Sequence, residues 1–259
     1  MQFEGIFTPI VTPYYNDFSL NGNALAETVE HLIAAGVHGI VVAGSTGEYY
    51  AQDPEERLEM MTRCAGLING RVPIVIGTGA IRTEDSIMYA KAAKKAGADA
   101  LLVATPPYAY PTGREIALHA LAVDRAANLP VMLYNYPGRM SVGMDDQALE
   151  FFAWGARSWV CAGSNFAPEA HIALYKACVV EGDFTKGRAI MSAMLPLMRT
   201  LEQGGKFVQC IKYGLTLRGI DAGPPRKPLQ PLNKDDKREL AEVIRIMNTT
   251  ISCIIGAKV

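Results

Sequence analysis

Residues 39–48 read GIVVAGSTGE, an apolar run that ends in a turn rich in glycine and hydroxyl groups. A continuous apolar run of this kind is typical of a parallel strand that is covered on both faces of its sheet. The sequence DPEE at 53–56 then indicates a helix start, with Asp53 as N-cap, Pro54 in the first position and acids near the positive helix end. This order of strand, loop and helix predicts one unit of a parallel α/β fold.

The same unit recurs along the first half of the chain. As far as residue 130, strand starts follow one another at intervals of about 27–34 residues, the size of a strand with its crossover helix. Predicted strands begin near Gly5, Gly39, Pro73, Ala100, Pro130 and Ser158, and the predicted helices include 25–35, 55–67, 84–96 and 115–127. Polar residues follow most of these strands, which favours a TIM-type (β/α) barrel over an open doubly wound sheet.

Beyond about residue 166 the strand signal ends and only helices are predicted. They span roughly 168–180, 184–201, 208–217 and 234–254, and the segment GPPRKP at 223–228 interrupts them. We therefore expect a (β/α) barrel with fewer than eight strands over residues 1–166 and a C-terminal helical module over residues 167–259.

Composition restricts the partners of the protein. The 259 residues are 49% apolar and 20% charged, which excludes a disordered or fibrous chain. With 25 basic and 26 acidic side chains, no excess charge favours nucleic acid or an anionic membrane.

The five cysteines form no C-x-x-C pair, and no secretion signal or long apolar segment is present, so we expect reduced thiols and a cytoplasmic location. The spacing of the four histidines predicts no metal site, and no dinucleotide fingerprint occurs.

Two segments carry residue types suited to binding a small acid. Ser45 and Thr46, in the loop GSTGE, offer hydroxyls beside backbone amides that can hold a carboxylate or an oxyanion. Tyr134 and Arg139, in YNYPGR, offer a phenol and a guanidinium that can grip a carboxylate with two hydrogen bonds. Taken singly, each segment is explained equally well as a glycine-rich turn or as a core tyrosine beside a surface arginine.

Together with GIFTPIVTP at 5–13, TPPY at 105–108 and NFAPE at 165–169, these segments resemble the dihydrodipicolinate synthase and N-acetylneuraminate lyase superfamily. The resemblance covers nearly the whole chain. It implies a class I aldolase or lyase that acts on pyruvate and an aldehyde, needs no cofactor, and assembles into dimers or tetramers on a (β/α)8 barrel. It also implies residue roles: Ser45 as relay hydroxyl, Thr46 and Gly47 as pyruvate-carboxylate positions, Tyr134 as proton-transferring phenol, Tyr108 as relay partner across a dimer interface, and Arg139 as the grip on the second substrate.

One element of that superfamily has no counterpart here. Its Schiff-base lysine stands on the sixth strand in a motif resembling IK[DE][ST][ST]GD, whereas all eleven lysines of this chain fall on predicted helices or tail segments. Lys212 is the least exposed of them, but we expect its helix to keep it away from the barrel mouth. We interpret the difference as an internal deletion of roughly one and a half strand-helix units, about 35–40 residues, near 142–144.

The sequence leaves three origins for the shortening open. The chain is a natural or engineered deletion variant, it closes a smaller or swapped barrel, or the sequence omits part of the biological polypeptide. It also leaves two functions open. One is a lyase or synthase acting on pyruvate and an aldehyde that the sequence does not identify; the other is an inactive homologue that binds a keto acid or serves in assembly.

Overall fold

The computed structural model describes residues 3–107, 111–134 and 145–256. Within these ranges the strands are β1 Gly5–Pro9, β2 Gly39–Val42, β3 Ile74–Gly77, β4 Ala100–Ala104, β5 Val131–Tyr134 and β6 Ser158–Val160. The α-helices are α1 Gly22–Ala35, α2 Pro54–Ile68, α3 Thr83–Ala96, α4 Gly113–Ala127, α5 Ala148–Ala153, α6 Pro168–Tyr175, α7 Phe184–Gln203, α8 Phe207–Leu217 and α9 Lys234–Ile255. The predicted α/β class is confirmed.

The six strands form one parallel sheet in the order β5-β4-β3-β2-β1-β6. Strand β1 pairs on one side with β2 and on the other with β6, so that Phe7 lies opposite both Gly39 and Val160. Because every pair is parallel, the carboxyl ends of all six strands meet at one rim. In the part of the chain that the structure describes, β5 and β6 are the terminal strands of this sheet.

The sheet is buried on both faces. On its inner face Phe7, Val41, Val75, Ala100 and Leu102 form one apolar cluster. On its outer face the alternate strand residues join a larger cluster with the helices, and this cluster continues into α6, α7, α8 and α9. Alternation between two apolar environments explains why these strands are nearly continuous runs of apolar residues.

Local sequence signals place most element ends correctly. Helix α2 begins at Pro54, and Asp53 and Glu56 form a reciprocal capping box in front of it. Strands β3 and β5 begin one residue after Pro73 and Pro130, because proline has no amide to donate to a neighbouring strand. The predicted helical segment 168–180 is confirmed: α6 spans Pro168–Tyr175 and a π-helical turn continues it through Val180, a change of helix type that the sequence does not predict.

Two expectations stay predictions. The inferred joint near 142–144 lies outside the described residues. The division into units at residue 166 is also not tested, although the outer cluster runs through the helices on both sides of it.

The terminal strand β5 predicts self-association. The side chain of Leu133 on β5 is 66% exposed, and an apolar edge strand favours pairing with another chain. We expect the protein to sediment as a dimer or larger species at micromolar concentration, and Leu133→Lys to shift it toward monomer. The control is Leu118→Lys on α4, where the leucine is 57% exposed but away from the sheet edge. A monomeric parent protein would contradict this expectation.

A buried histidine predicts a loss of stability in mild acid. Burial lowers the pKa of His171 from 6.5 to about 4. Below pH 6.5, His171 is therefore protonated in the unfolded chain but stays neutral in the folded protein. Its contribution to stability is complete above pH 6.5 and is lost as the pH falls toward 4. Between pH 7 and pH 5, urea unfolding should show the parent losing about 2 kcal/mol more than His171→Gln. Equal losses in the two proteins would show that His171 titrates normally.

Candidate functional site

The loop after β2 carries two strained residues. Ser45–Gly47 form one 3-10 turn, with the Gly47 amide donating to the Gly44 carbonyl at 3.0 Å. Ala43 and Glu48 flank this turn with φ of 56° and 57°. Side-chain-bearing residues avoid this left-handed region because Cβ meets the following carbonyl. Strain of this kind persists only where the surrounding structure enforces it, and it is concentrated at functional sites.

A buried polar cluster holds the backbone of this loop in place through hydrogen bonds. The Gly47 carbonyl accepts hydrogen bonds from the Thr12 hydroxyl at 2.7 Å and from Gln52 Nε2 at 3.2 Å. Gln52 Nε2 also donates to the Tyr14 hydroxyl at 2.9 Å. Burial raises the pKa of Tyr14 to about 12, so its phenol stays protonated at neutral pH. The loop backbone is therefore held by neutral hydrogen-bonding groups on the segments that follow β1 and β2.

A buried ion pair anchors the end of the loop. The Glu48 side chain is fully buried; its Oε2 lies 2.7 Å from Lys212 Nζ, and its Oε1 accepts from the Arg226 amide at 2.7 Å. Lys212 Nζ also donates to the Pro224 carbonyl at 2.9 Å and lies 4.5 Å from the centre of the Tyr14 ring. Burial lowers the pKa of Lys212, while the Glu48 carboxylate acts in the opposite direction.

The expectation that the helix of Lys212 keeps it away from the strand ends is therefore wrong. Helix α8 packs against the loop that follows β2, and Lys212 reaches a residue of that loop directly. The tertiary packing of the C-terminal helices causes this difference, because the spacing of Lys212 along the chain carries no information about which loop its helix covers.

The segment 223–226 is tied to the same rim. The Arg226 guanidinium donates to the Ala51 carbonyl at 3.0 Å, to the Phe18 carbonyl at 2.9 Å, and with both Nη atoms to the Glu56 carboxylate. The Tyr14 amide donates to the Ala222 carbonyl at 3.1 Å. The loops after β1 and β2 and the C-terminal segment thus form one hydrogen-bonded unit.

The structure brings three of the predicted site residues into one turn. Ser45 is half-buried, Thr46 is 3% exposed and Gly47 is buried. Tyr134 is the last residue of β5, half-buried beside the inner cluster, so it lies at the same rim on a strand three places along the sheet. Tyr108 and Arg139 lie outside the described residues.

The NFAPE segment also returns to this rim. Asn165 Nδ2 donates to the Pro9 carbonyl at 2.8 Å, and its Oδ1 accepts from the Val11 amide at 3.3 Å. The hydroxyls of Thr8 and Ser164 are 2.7 Å apart. These contacts fix the segment after β6 on the end of β1.

Sequence reasoning missed the residues that hold the loop in place. Gln52, Tyr14 and Arg226 have no spacing or motif that links them to GSTGE, and the GSTGE motif gives its Glu48 no role of its own. The one available signal was the position of Lys212 in the apolar stretch QCIKYG, where a buried lysine requires a partner. The sequence does not show that this partner is Glu48.

The described residues offer neither a metal site nor a membrane-spanning helix. Over 3–107, 111–134 and 145–256 no three histidine, cysteine, aspartate or glutamate side chains lie close enough together to hold a metal ion. Over the same residues no helix is long and apolar enough to cross a bilayer.

Comparison with known proteins gives consistent matches. The profile of the dihydrodipicolinate synthetase family matches residues 2–144 and 140–247. A 4-hydroxy-tetrahydrodipicolinate synthase from Exiguobacterium sp. is 30% identical over 291 aligned positions, covering 95% of this chain and 99% of that protein. The structure of the 4-hydroxy-tetrahydrodipicolinate synthase from Methylacidiphilum fumariolicum is 25% identical, with a TM-score of 0.91 and coverage of 98% and 99%. YagE of E. coli, a member of the dihydrodipicolinic acid synthase family solved in complex with pyruvate, is 26% identical, with a TM-score of 0.87 and coverage of 96% and 99%.

Gly223 tests the attachment of the C-terminal segment to the rim. It has a φ of +68°, and a Cβ there would lie 1.7 Å from the Tyr14 carbonyl oxygen. We expect Gly223→Ala to lower the free energy of unfolding by more than about 2 kcal/mol, because backbone strain and a backbone clash add. Gly219→Ala is the control, since Gly219 has a φ of +84° but nothing within 4 Å of its Cβ position. It should cost only about 1 kcal/mol. Equal losses in urea unfolding would show that the close approach is not rigid.

Proposed function

This chain belongs to the dihydrodipicolinate synthetase family, and on that premise we propose that it binds pyruvate or another small 2-keto acid at the loop 44–47. The observation that carries the proposal is the turn of Ser45, Thr46 and Gly47 at the carboxyl rim of the sheet, which lies between the strained residues Ala43 and Glu48 and is held by a buried polar network. Hydroxyl and amide donors in one turn match the oxygens of a small carboxylate. The pyruvate complex of the relative YagE supports the ligand class.

The other site residues take the roles that the resemblance implies. Ser45 and Tyr134 form the proton relay together with Tyr108, and Arg139 grips the carboxylate of a second substrate. Tyr134 at the end of β5 lies at the rim where such a relay has to stand. The keto acid, bound through its carboxylate at Thr46 and Gly47, then presents its carbonyl carbon to these groups.

Aldol chemistry of class I requires an amine that condenses with this carbon, since the iminium is the sink for the electrons of the carbanion. No lysine lies on any of the six described strands. The segment 135–144, which lies outside the described residues, contains no lysine in its sequence. We therefore propose that the chain binds the keto acid but turns it over only at background.

The proposed internal deletion accounts for the missing amine. The family profile matches in two parts that meet at 140–144, and the 291 positions of the Exiguobacterium alignment exceed the 259 residues of this chain. Both observations support a lost segment between β5 and α5. In this proposal, loss of the segment removes the lysine strand, and β5 and β6 are left as the terminal strands of the sheet.

A second candidate is an active lyase that uses Lys212 as its amine. The position of Lys212 beside the loop and its lowered pKa favour this reading. Its ion pair with Glu48 and an exposed fraction of 3% oppose it, because a nucleophile has to be unprotonated and accessible to the keto carbon. Both candidates include self-association, which the exposed Leu133 on an edge strand supports. Both also include a cytoplasmic location, which the five free cysteines support.

Pyruvate binding and borohydride trapping distinguish the candidates. By calorimetry, we expect the parent protein to bind pyruvate and Thr46→Val to bind it about tenfold more weakly. Valine has nearly the same size as threonine but lacks the hydroxyl that donates to the carboxylate. Thr62→Val, on the exposed face of α2, is the control.

After incubation with pyruvate and borohydride, the intact mass of the protein should show no adduct. Turnover with pyruvate and aspartate semialdehyde, or with an acyl sugar acid, should stay at background.

Three outcomes would change the assignment. An adduct that maps to Lys212 would establish the second candidate. Turnover with an adduct at another lysine would contradict both candidates. A folded parent protein that does not bind pyruvate would leave assembly as the function.

A further inference from the structure

The Glu48–Lys212 ion pair makes no contact that the proposed function assigns to the keto acid. It nevertheless joins the binding loop to the C-terminal helices. We propose that Glu48 and Lys212 are positioning residues, whose ion pair holds the turn 44–47 in its binding conformation and so sets the affinity for the keto acid. The statement about affinity rests on the proposed function, whereas the statement about the turn does not.

The conformation of Glu48 gives the first argument. Its φ of 57° is unfavourable for a residue with a side chain, and its amide makes one local hydrogen bond, to the Ser45 carbonyl at 3.0 Å. Its carboxylate is fully buried and uses both oxygens, one toward Lys212 and one toward the Arg226 amide. A side chain fixed in this way holds the backbone from which it projects, against the cost of the left-handed conformation.

The rigidity of Lys212 gives the second argument. Its ammonium is held by the Pro224 carbonyl and the Tyr14 ring as well as by Glu48. Helix α8 is held closely where Gly214 meets Phe166, since a Cβ at Gly214 would lie 2.4 Å from the Phe166 ring. The ion pair therefore fixes the turn relative to a well-packed helix, not relative to a mobile surface chain.

The burial of both charges provides a way to separate positioning from stability. Side-chain exposure is 3% for Lys212 and 0% for Glu48, so removal of one partner leaves the other charged and uncompensated in the interior. Replacement of both charges by neutral groups of similar size is often tolerated, because no uncompensated charge is left buried. A double variant can thus recover stability although the ion pair is gone.

The experiment compares Glu48→Gln, Lys212→Met and the double variant. We expect each single variant to unfold at lower temperature and the double variant to recover most of that loss. Pyruvate affinity, measured by calorimetry well below the unfolding temperature, should fall about tenfold and stay low in the double variant, because the ion pair that holds residue 48 is still missing. Hydrogen exchange at the Gly47 and Glu48 amides should be faster than in the parent.

The control is the ion pair of Lys206 and Asp236, whose side chains are 43% and 26% exposed. Lys206→Met with Asp236→Asn should change neither the affinity nor the exchange. Parent-like exchange in the double variant at Gly47 and Glu48 would overturn the inference, as would a return of pyruvate affinity to within twofold of the parent. If exchange is faster but the parent does not bind pyruvate, the positioning of the turn stands and the proposed ligand is wrong.

Discussion

A carboxylate and an ammonium buried together, Glu48 and Lys212, join the loop after the second strand to a helix near the end of the chain. Neither charge is stable alone in a protein interior, because the free energy lost with its hydration exceeds what the surrounding protein dipoles supply. Each therefore requires the other to be in place, and the two segments have to pack together. The hydrogen bonds of Arg226 to Glu48, Ala51, Phe18 and Glu56 extend the same attachment. The helices after β6 are in this sense part of the site.

The parallel sheet explains where the site stands. Six parallel strands bring their carboxyl ends to one rim, and the polar residues that follow the strands are gathered there. The loop after β2 and the end of β5 share this rim although three places separate their strands in the sheet.

Much of this architecture is readable from local sequence. The apolar runs predict the strands, and DPEE predicts the start of α2. Finer details have local causes too. Strands β3 and β5 begin one residue after Pro73 and Pro130, and the helix that begins at Pro168 passes into a π-helical turn after Tyr175. Periodicity does not resolve such details, since one residue of shift or one extra residue in a turn leaves the apolar pattern nearly unchanged.

The sequence by itself determined the α/β class, the number of strands in the described part of the chain, and the family resemblance on which the proposed roles of Ser45, Thr46 and Tyr134 rest. These depend on propensities and motifs that act over a few residues or one strand-helix unit. Only the tertiary structure decided that Lys212 meets Glu48, that Gln52 bonds both the Gly47 carbonyl and the Tyr14 hydroxyl, and that the Arg226 amide bonds the Glu48 carboxylate. Those contacts join residues far apart in the chain. How the helices pack decides whether these contacts form. A charged residue in an apolar stretch predicts a buried partner of opposite charge, but the sequence does not show which residue that partner is.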